Sequence, residues 1–329
     1  MDFTIKGPKI NIPERISIRK PLLVIGSCFA ENIGTLLQEQ LFDVKINPFG
    51  IVYNPLSIIQ QLNDILQNKH YTSAELFEKE SLFYSWQHHG SFAGIDKDET
   101  LQNINAQITE AHHQLIHSEW LVITLGSAYY YSLNDGQIVS NCHKIPAANF
   151  VKKMAHLPQI IDGFQEAISL IKKINPSIKI LFNISPVRYV RDGLTENTIS
   201  KSILHLAIHE IIAKNDNCFY FPSYEIVIDE LRDYRFYKAD MVHPNEMAIA
   251  YIYEKFGAAL FDEETKIITK EVQQFNAFSN HKILNNSKEA IVQYQLKKEK
   301  MMHILFEKYP FLKKDKPQKK DNPSSNCGD

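Results

Sequence analysis

The chain predicts an α/β fold in which a parallel sheet carries helices on both faces. Three observations carry this prediction. Uninterrupted apolar runs such as Leu22-Leu23-Val24-Ile25 recur along the sequence, and a stretch with apolar residues at helical spacing follows them. Strand and helix alternate five times before about residue 262. Strands covered on both faces read as continuous apolar runs, and their alternation with helices is the pattern of crossover units.

Taken in order, residues 1–20 read as an extended arm. The first strand, 22–25, runs into Gly26-Ser27-Cys28, and a helix is predicted over 29–41. Residues 42–48 read as a short second strand. Apolar spacing at Leu56, Ile59, Leu62, Ile65 and Leu66 predicts the next helix, with Asn54 as its N-cap and Pro55 in the first turn. Residues 82–86 and 91–92 suggest a small hairpin with His88-His89-Gly90 at its tip. A helix over 100–117 and a buried strand over 119–125 follow, ended by Gly126-Ser127-Ala128. Asn134-Asp135-Gly136 is a hairpin signal, so 129–139 reads as an antiparallel flap. Helices are expected over 158–173, 197–214 and 245–260, a short one over 224–231, and strands over 179–184 and 218–222.

Residues 1–261 therefore read as one α/β domain and 262–329 as a helical extension. The extension carries an amphipathic helix over 288–308 and a tail, disordered from about 313, rich in Lys, Pro and Ser. A formal charge of −2 gives no general attraction to nucleic acid or to an anionic membrane. No stretch approaches 18 apolar residues and the N-terminus lacks a signal-like run, so a cytoplasmic protein is expected. The four cysteines, Cys28, Cys142, Cys218 and Cys327, are too scattered for a disulfide scaffold and are expected reduced.

Two places stand apart chemically. Gly26-Ser27-Cys28 is a tight turn from strand to helix at the carboxyl edge of a sheet, where a side chain stands exposed and helix-start N–H groups face an anion. Asp240-Met241-Val242-His243 precedes the last helix of the α/β unit, and an Asp and a His three residues apart on a turn share one side. Together they offer nucleophile, base and orienter. A thiol at a helix start beside an imidazole is readily ionised, which leans toward Cys28; Ser27 needs only the base.

These segments also carry a resemblance. GSCFAENIG, NPFGIVYNP, TLGSAYYY, SPVRYVRDG and DELRDYRFYKADMVHPNE resemble the GSCFA-domain family, related to the SGNH or GDSL-like hydrolases, over roughly residues 16–261. The resemblance implies a three-layer flavodoxin-like fold and an acyl-ester hydrolase or acyltransferase site on a carbohydrate-like or other small-molecule substrate, with no cofactor. Carried over, it puts the nucleophile at Cys28 or Ser27, the base at His243, the orienter at Asp240 and an oxyanion donor at Gly50. The third superfamily block usually brings Gly-x-Asn-Asp. Here Gly126-Ser127-Ala128-Tyr129 stands in its place, so Ser127, Asn54 or a histidine of the 88–89 pair, such as His89, is left to replace the missing Asn.

Plainer roles compete at each position. Cys28 fits as a small filler beneath the helix and Ser27 as its cap; Asp240 fits as a turn former before Pro244. Arg188 and Arg191 suit a substrate carboxylate or phosphate, but solvated or ion-paired loop arginines are the favoured reading. Adjacent histidines at 88–89 and 112–113 point apart on regular elements, so no metal is expected. The alternative to an enzyme is an inactive module of the same fold that binds a small carbohydrate or nucleotide-like ligand.

Overall fold

The computed structural model describes residues 5–280 and 287–313; the tail expected from about 313 lies outside them except for its first residue. Five parallel strands form the central sheet: β1 (Leu22–Gly26), β2 (Val44–Ile46), β5 (Trp120–Leu125), β9 (Lys179–Ile184) and β10 (Cys218–Tyr220). Their spatial order is β2-β1-β5-β9-β10. Counting only these strands, the order is 2-1-3-4-5, the flavodoxin-like doubly wound arrangement.

The pleat explains the two layers around the sheet. Leu23 and Ile25 of β1 face one way, with Leu121, Ile123 and Leu125 of β5, against α2 (Pro55–Leu66), α3 (Lys97–His117), α4 (Leu157–Ile174) and α5 (Leu194–Ala213). Leu22 and Val24 face the other way with Trp120 and Val122, against α1 (Cys28–Glu39) and α7 (Glu246–Leu260). Every residue of β1 and β5 is buried, as a strand covered on both faces requires.

Two small antiparallel sheets are inserted. One is the hairpin β3 (Leu76–Lys79) and β4 (Leu82–Ser85), turned by Glu80 and Ser81, both at positive φ. His88 and His89 therefore lie beyond the hairpin and not at its tip. The other joins β6 (Tyr129–Leu133) and β7 (Ile138–Val139), the expected flap, to β8 (Phe150–Met154), which the sequence did not announce. After β10 the chain makes α6 (Ser223–Glu225), running into a π-turn at Ile226–Glu230.

Among the described residues, the C-terminal region carries α8 (Glu263–Ser279) and α9 (Lys288–Lys308), followed by a short turn at Pro310–Leu312. It packs into the same core as α1 and α7: Ile268, Val272, Leu305, Tyr309 and Leu312 are all buried there. The N-terminal arm is caught in the same place. Ile16 N–H donates to Leu260 O at 2.6 Å, Asp262 N–H donates to Ile16 O at 3.2 Å, and Ile18 N–H donates to Thr265 Oγ1 at 2.9 Å.

Candidate active site

Because the sheet is parallel, the turns after β1, β5 and β9 all emerge at its carboxyl edge. The turn after β1 is held hard. Gly26 sits at φ +146°, and a Cβ there would overlap the backbone oxygen of Thr124 on β5. Its N–H donates to Asn47 Oδ1 at 2.8 Å, and its carbonyl accepts from Val52 N–H at 3.1 Å. Ser27 N–H donates to Thr124 O at 3.3 Å.

The two nucleophile candidates have different surroundings. Ser27 is the N-cap of α1, fully buried, with Oγ accepting from Phe29 N–H at 3.3 Å. Cys28, the first residue of that helix, is partly exposed.

Asp240 and His243 are joined as their spacing predicts. His243 Nδ1 lies 2.7 Å from Asp240 Oδ2, while Asp240 Oδ1 accepts from the backbone N–H groups of Val242 at 2.9 Å and His243 at 3.0 Å. Partial desolvation pushes the Asp240 carboxyl up, but the two backbone donors and the imidazole together hold it below its ordinary value. With Nδ1–H donating to the carboxylate, the lone pair of Nε2 is left for a proton. The loop is pinned to the sheet edge: Arg188 N–H, just beyond β9, donates to Val242 O at 3.3 Å, and Lys238 N–H donates to His243 O at 2.7 Å.

The other expected residues are more occupied than exposed. Gly50, at φ +77°, donates its N–H to Asn47 O at 2.7 Å, and His89 lies where a Cβ on Gly50 would be. Asn54 caps α2, accepting from Ser57 N–H at 2.8 Å and donating through Nδ2 to Ser57 Oγ at 3.0 Å. Gly126 N–H donates to Tyr53 O at 2.7 Å, and a Cβ there would overlap the Tyr189 hydroxyl. Ser127 Oγ turns inward to Ser200 Oγ at 3.2 Å on α5. His89 Nδ1 contacts Ser91 Oγ at 3.0 Å, and burial lowers its pKa. The Arg188 charge opposes the rise that burial gives Tyr237 and Tyr224.

Two residues escaped the sequence reading. Asn47, seven per cent exposed and at φ +42°, holds Gly26 through Oδ1, while its Nδ2 has no partner among the described residues. Lys201 is two per cent exposed, with Nζ donating to Gly126 O and to Ser185 O, each at 2.6 Å. A signal for Lys201 was present: it shares the inner face of α5 with Asn197, Leu204, Ile208 and Ile211, so the charge sits in the apolar stripe. Among the described residues, no group of three or more His, Cys, Asp or Glu could hold a metal, and no helix is long and apolar enough to cross a membrane.

Sheet order, two helical layers and polar turns at the carboxyl edge define a three-layer α/β protein of the flavodoxin-like class. Residues 21–256 match the GSCFA family, and the chain belongs to it. No curated protein matches the chain.

Proposed function

We propose that the protein is an acyl-ester hydrolase or acyltransferase, related to the SGNH hydrolases, that works through an acyl-enzyme on Cys28. The observation that carries this reading is the Asp240–His243 pair, 2.7 Å apart at the sheet edge on which the Cys28 turn also opens. Cys28 is preferred over Ser27 because it is partly exposed as a residue, whereas Ser27 is fully buried with its hydroxyl spent on a cap.

In this mechanism His243 Nε2 takes the thiol proton and the sulfur attacks the acyl carbonyl. The tetrahedral oxyanion collapses with loss of the alcohol, which leaves protonated by His243. Water or an acceptor alcohol then attacks the thioester while His243 takes its proton; the C–S bond breaks, the acid or new ester leaves, and the Cys28 sulfur departs as thiolate and recovers the proton from His243. Asp240 keeps the ring oriented and stabilises its cationic form. An acetyl or other short acyl group on a carbohydrate-like alcohol is the substrate class we assign.

One observation favours a second reading, a binding module of the same fold without turnover. The N–H of Gly50, the amide of Asn54 and the hydroxyl of Ser127 all have internal partners, and a lost oxyanion donor costs about 2.7 to 4 kcal/mol of barrier. Hydrolysis of a chromogenic short-chain ester by the wild type, Cys28→Ala and Ser27→Ala separates the readings. The enzyme reading expects turnover that Cys28→Ala abolishes; full activity in both variants overturns it.

A further inference from the structure

The two inserted sheets and α2 enclose a cleft that the Cys28 and His243 chemistry does not use. Its volume is about 590 Å³, within the range of small-molecule sites, and its walls come from α2 (Gln60), the hairpin and its exit (Phe77, Trp86) and the flap (Gln137, Ile138). Hydrogen bonds tie these walls together. Gln87 Nε2–H, just beyond β4, donates to Ile138 O of β7 at 2.7 Å, Ser140 N–H donates to Trp86 O at 2.8 Å, and the Ser57 hydroxyl of α2 donates to Val139 O at 3.4 Å. A cavity whose walls are already fixed spares a ligand the cost of ordering them.

The lining selects the class of ligand. Phe77 and Trp86 stack with ring centres 3.9 Å apart and planes 22° apart, which makes part of the wall aromatic. Three side-chain amides line the cleft as well. Gln87 spends one N–H on Ile138 O and one lone pair on the Ser140 hydroxyl at 3.3 Å, and so keeps one donor and one acceptor. Gln60 spends one N–H on Asp64 Oδ1 at 2.9 Å and keeps its carbonyl oxygen. Gln137 engages its backbone alone among the described residues, donating its N–H to Asp135 Oδ1 at 2.9 Å and accepting from Leu133 N–H at 2.8 Å. A donor beside an acceptor on one amide matches the paired hydroxyls of a sugar, and the C–H faces of the same sugar suit an aromatic ring. Charge is not on offer. Lys69, the cation among the described lining residues, lies 3.0 Å from Glu75 Oε1, 4.0 Å from Asp64 Oδ1 and 4.1 Å from the Tyr71 ring centre, so it is spent before a phosphate or carboxylate arrives. We propose that the cleft between α2, the hairpin and the flap is a binding site for an uncharged oligosaccharide, built from none of the residues assigned to catalysis. The assignment does not depend on turnover at Cys28.

The test is a fluorescence titration of the full-length protein with cellotetraose, chitotetraose, xylotetraose, maltotetraose and mannotetraose, with adenosine monophosphate as the anionic control. Trp86 reports on the cleft because the second of the two tryptophans, Trp120, is wholly buried in β5. At least one of these sugars is expected to shift Trp86 emission saturably, and the nucleotide to leave it unmoved. Gln60→Ala and Gln137→Ala, both at exposed positions, are each expected to weaken that binding about three- to tenfold with the melting temperature unchanged. Ala74→Phe, which brings a ring into the cleft, is expected to abolish it. No saturable shift with any of the sugars overturns the proposal, and so does binding of the nucleotide in their place. Sugar binding that all three variants leave intact belongs to another part of the molecule and overturns it too. Should a variant fail to fold, the wild-type titration and the remaining variants decide. Cys28→Ala is expected to bind as the wild type does. Ester turnover is not read, so failure here removes the cleft without touching the hydrolase reading.

Discussion

His243 Nδ1 and Asp240 Oδ2 lie 2.7 Å apart, while the other carboxylate oxygen is held by the backbone N–H groups of Val242 and His243. The carboxylate thus shapes the turn and aims the ring at once. Asp240→Asn keeps an oxygen for the backbone donors but cannot fix the imidazole tautomer. Ester turnover is expected to fall about 10²- to 10⁴-fold, with thermal unfolding little changed. Steady-state kinetics beside a melting curve checks this.

Ser27 and Cys28 are expected to separate stability from chemistry. Ser27→Ala removes the cap on Phe29 N–H and should lower stability by about 0.5–2 kcal/mol while leaving turnover measurable. Cys28→Ala should leave stability nearly unchanged and remove activity. Urea unfolding and ester assays on both variants test the pair.

Acid should destabilise the fold before the carboxylates titrate. Burial lowers the pKa of His88 to about 3, and of His143 and His205 to about 4. In the unfolded chain these rings take a proton near pH 6.5, so the unfolded state binds more protons below that value. The stability that their neutrality contributes is fully present above pH 6.5 and is lost as pH falls toward 4 and then 3. His88 alone should cost about 1.4 kcal/mol per pH unit in that window, and the less buried His143 and His205 less. Urea midpoints at pH 7.5, 5.5 and 4.5 measure the slope; a flat profile would contradict the burial of these rings.

Gly26 has no room for a methyl group. At φ +146°, with the Thr124 backbone against its missing Cβ, Gly26→Ala combines backbone strain of about 1–3 kcal/mol with a clash that a strand partner cannot relieve. The variant should melt well below the wild type or fail to accumulate. A wild-type melting curve would refute this account of the turn.

Much of the sheet was legible because its strands are short, largely apolar and bounded by turns. β8 was not: Phe150–Met154 has three exposed central residues, two of them lysines, and becomes a strand only because β6 offers it a partner. α8 escaped for a related reason. Its buried stripe, Thr265, Ile268, Thr269 and Val272, is half threonine, so it reads as polar until the core is assembled around it. At the site, the Asp240–His243 pairing followed from spacing on a single turn. Lys201 did not, because its partners, the carbonyls of Gly126 and Ser185, carry no side-chain signature. His88 was read as the tip of a hairpin; the ring is instead enclosed, stacked on Phe49 at 4.7 Å, since the turn falls earlier, at Glu80 and Ser81.

The clasp between Ile16, Leu260, Asp262 and Thr265 makes the last helices part of the foundation and not an annex. Truncation after residue 261 would bare the underside of α1 and α7 where Ile268 and Val272 now sit, and the shortened product would be adhesive before it was inactive. The boundary of the family match at residue 256 is a boundary of shared sequence; the folding unit continues past it, toward Leu312.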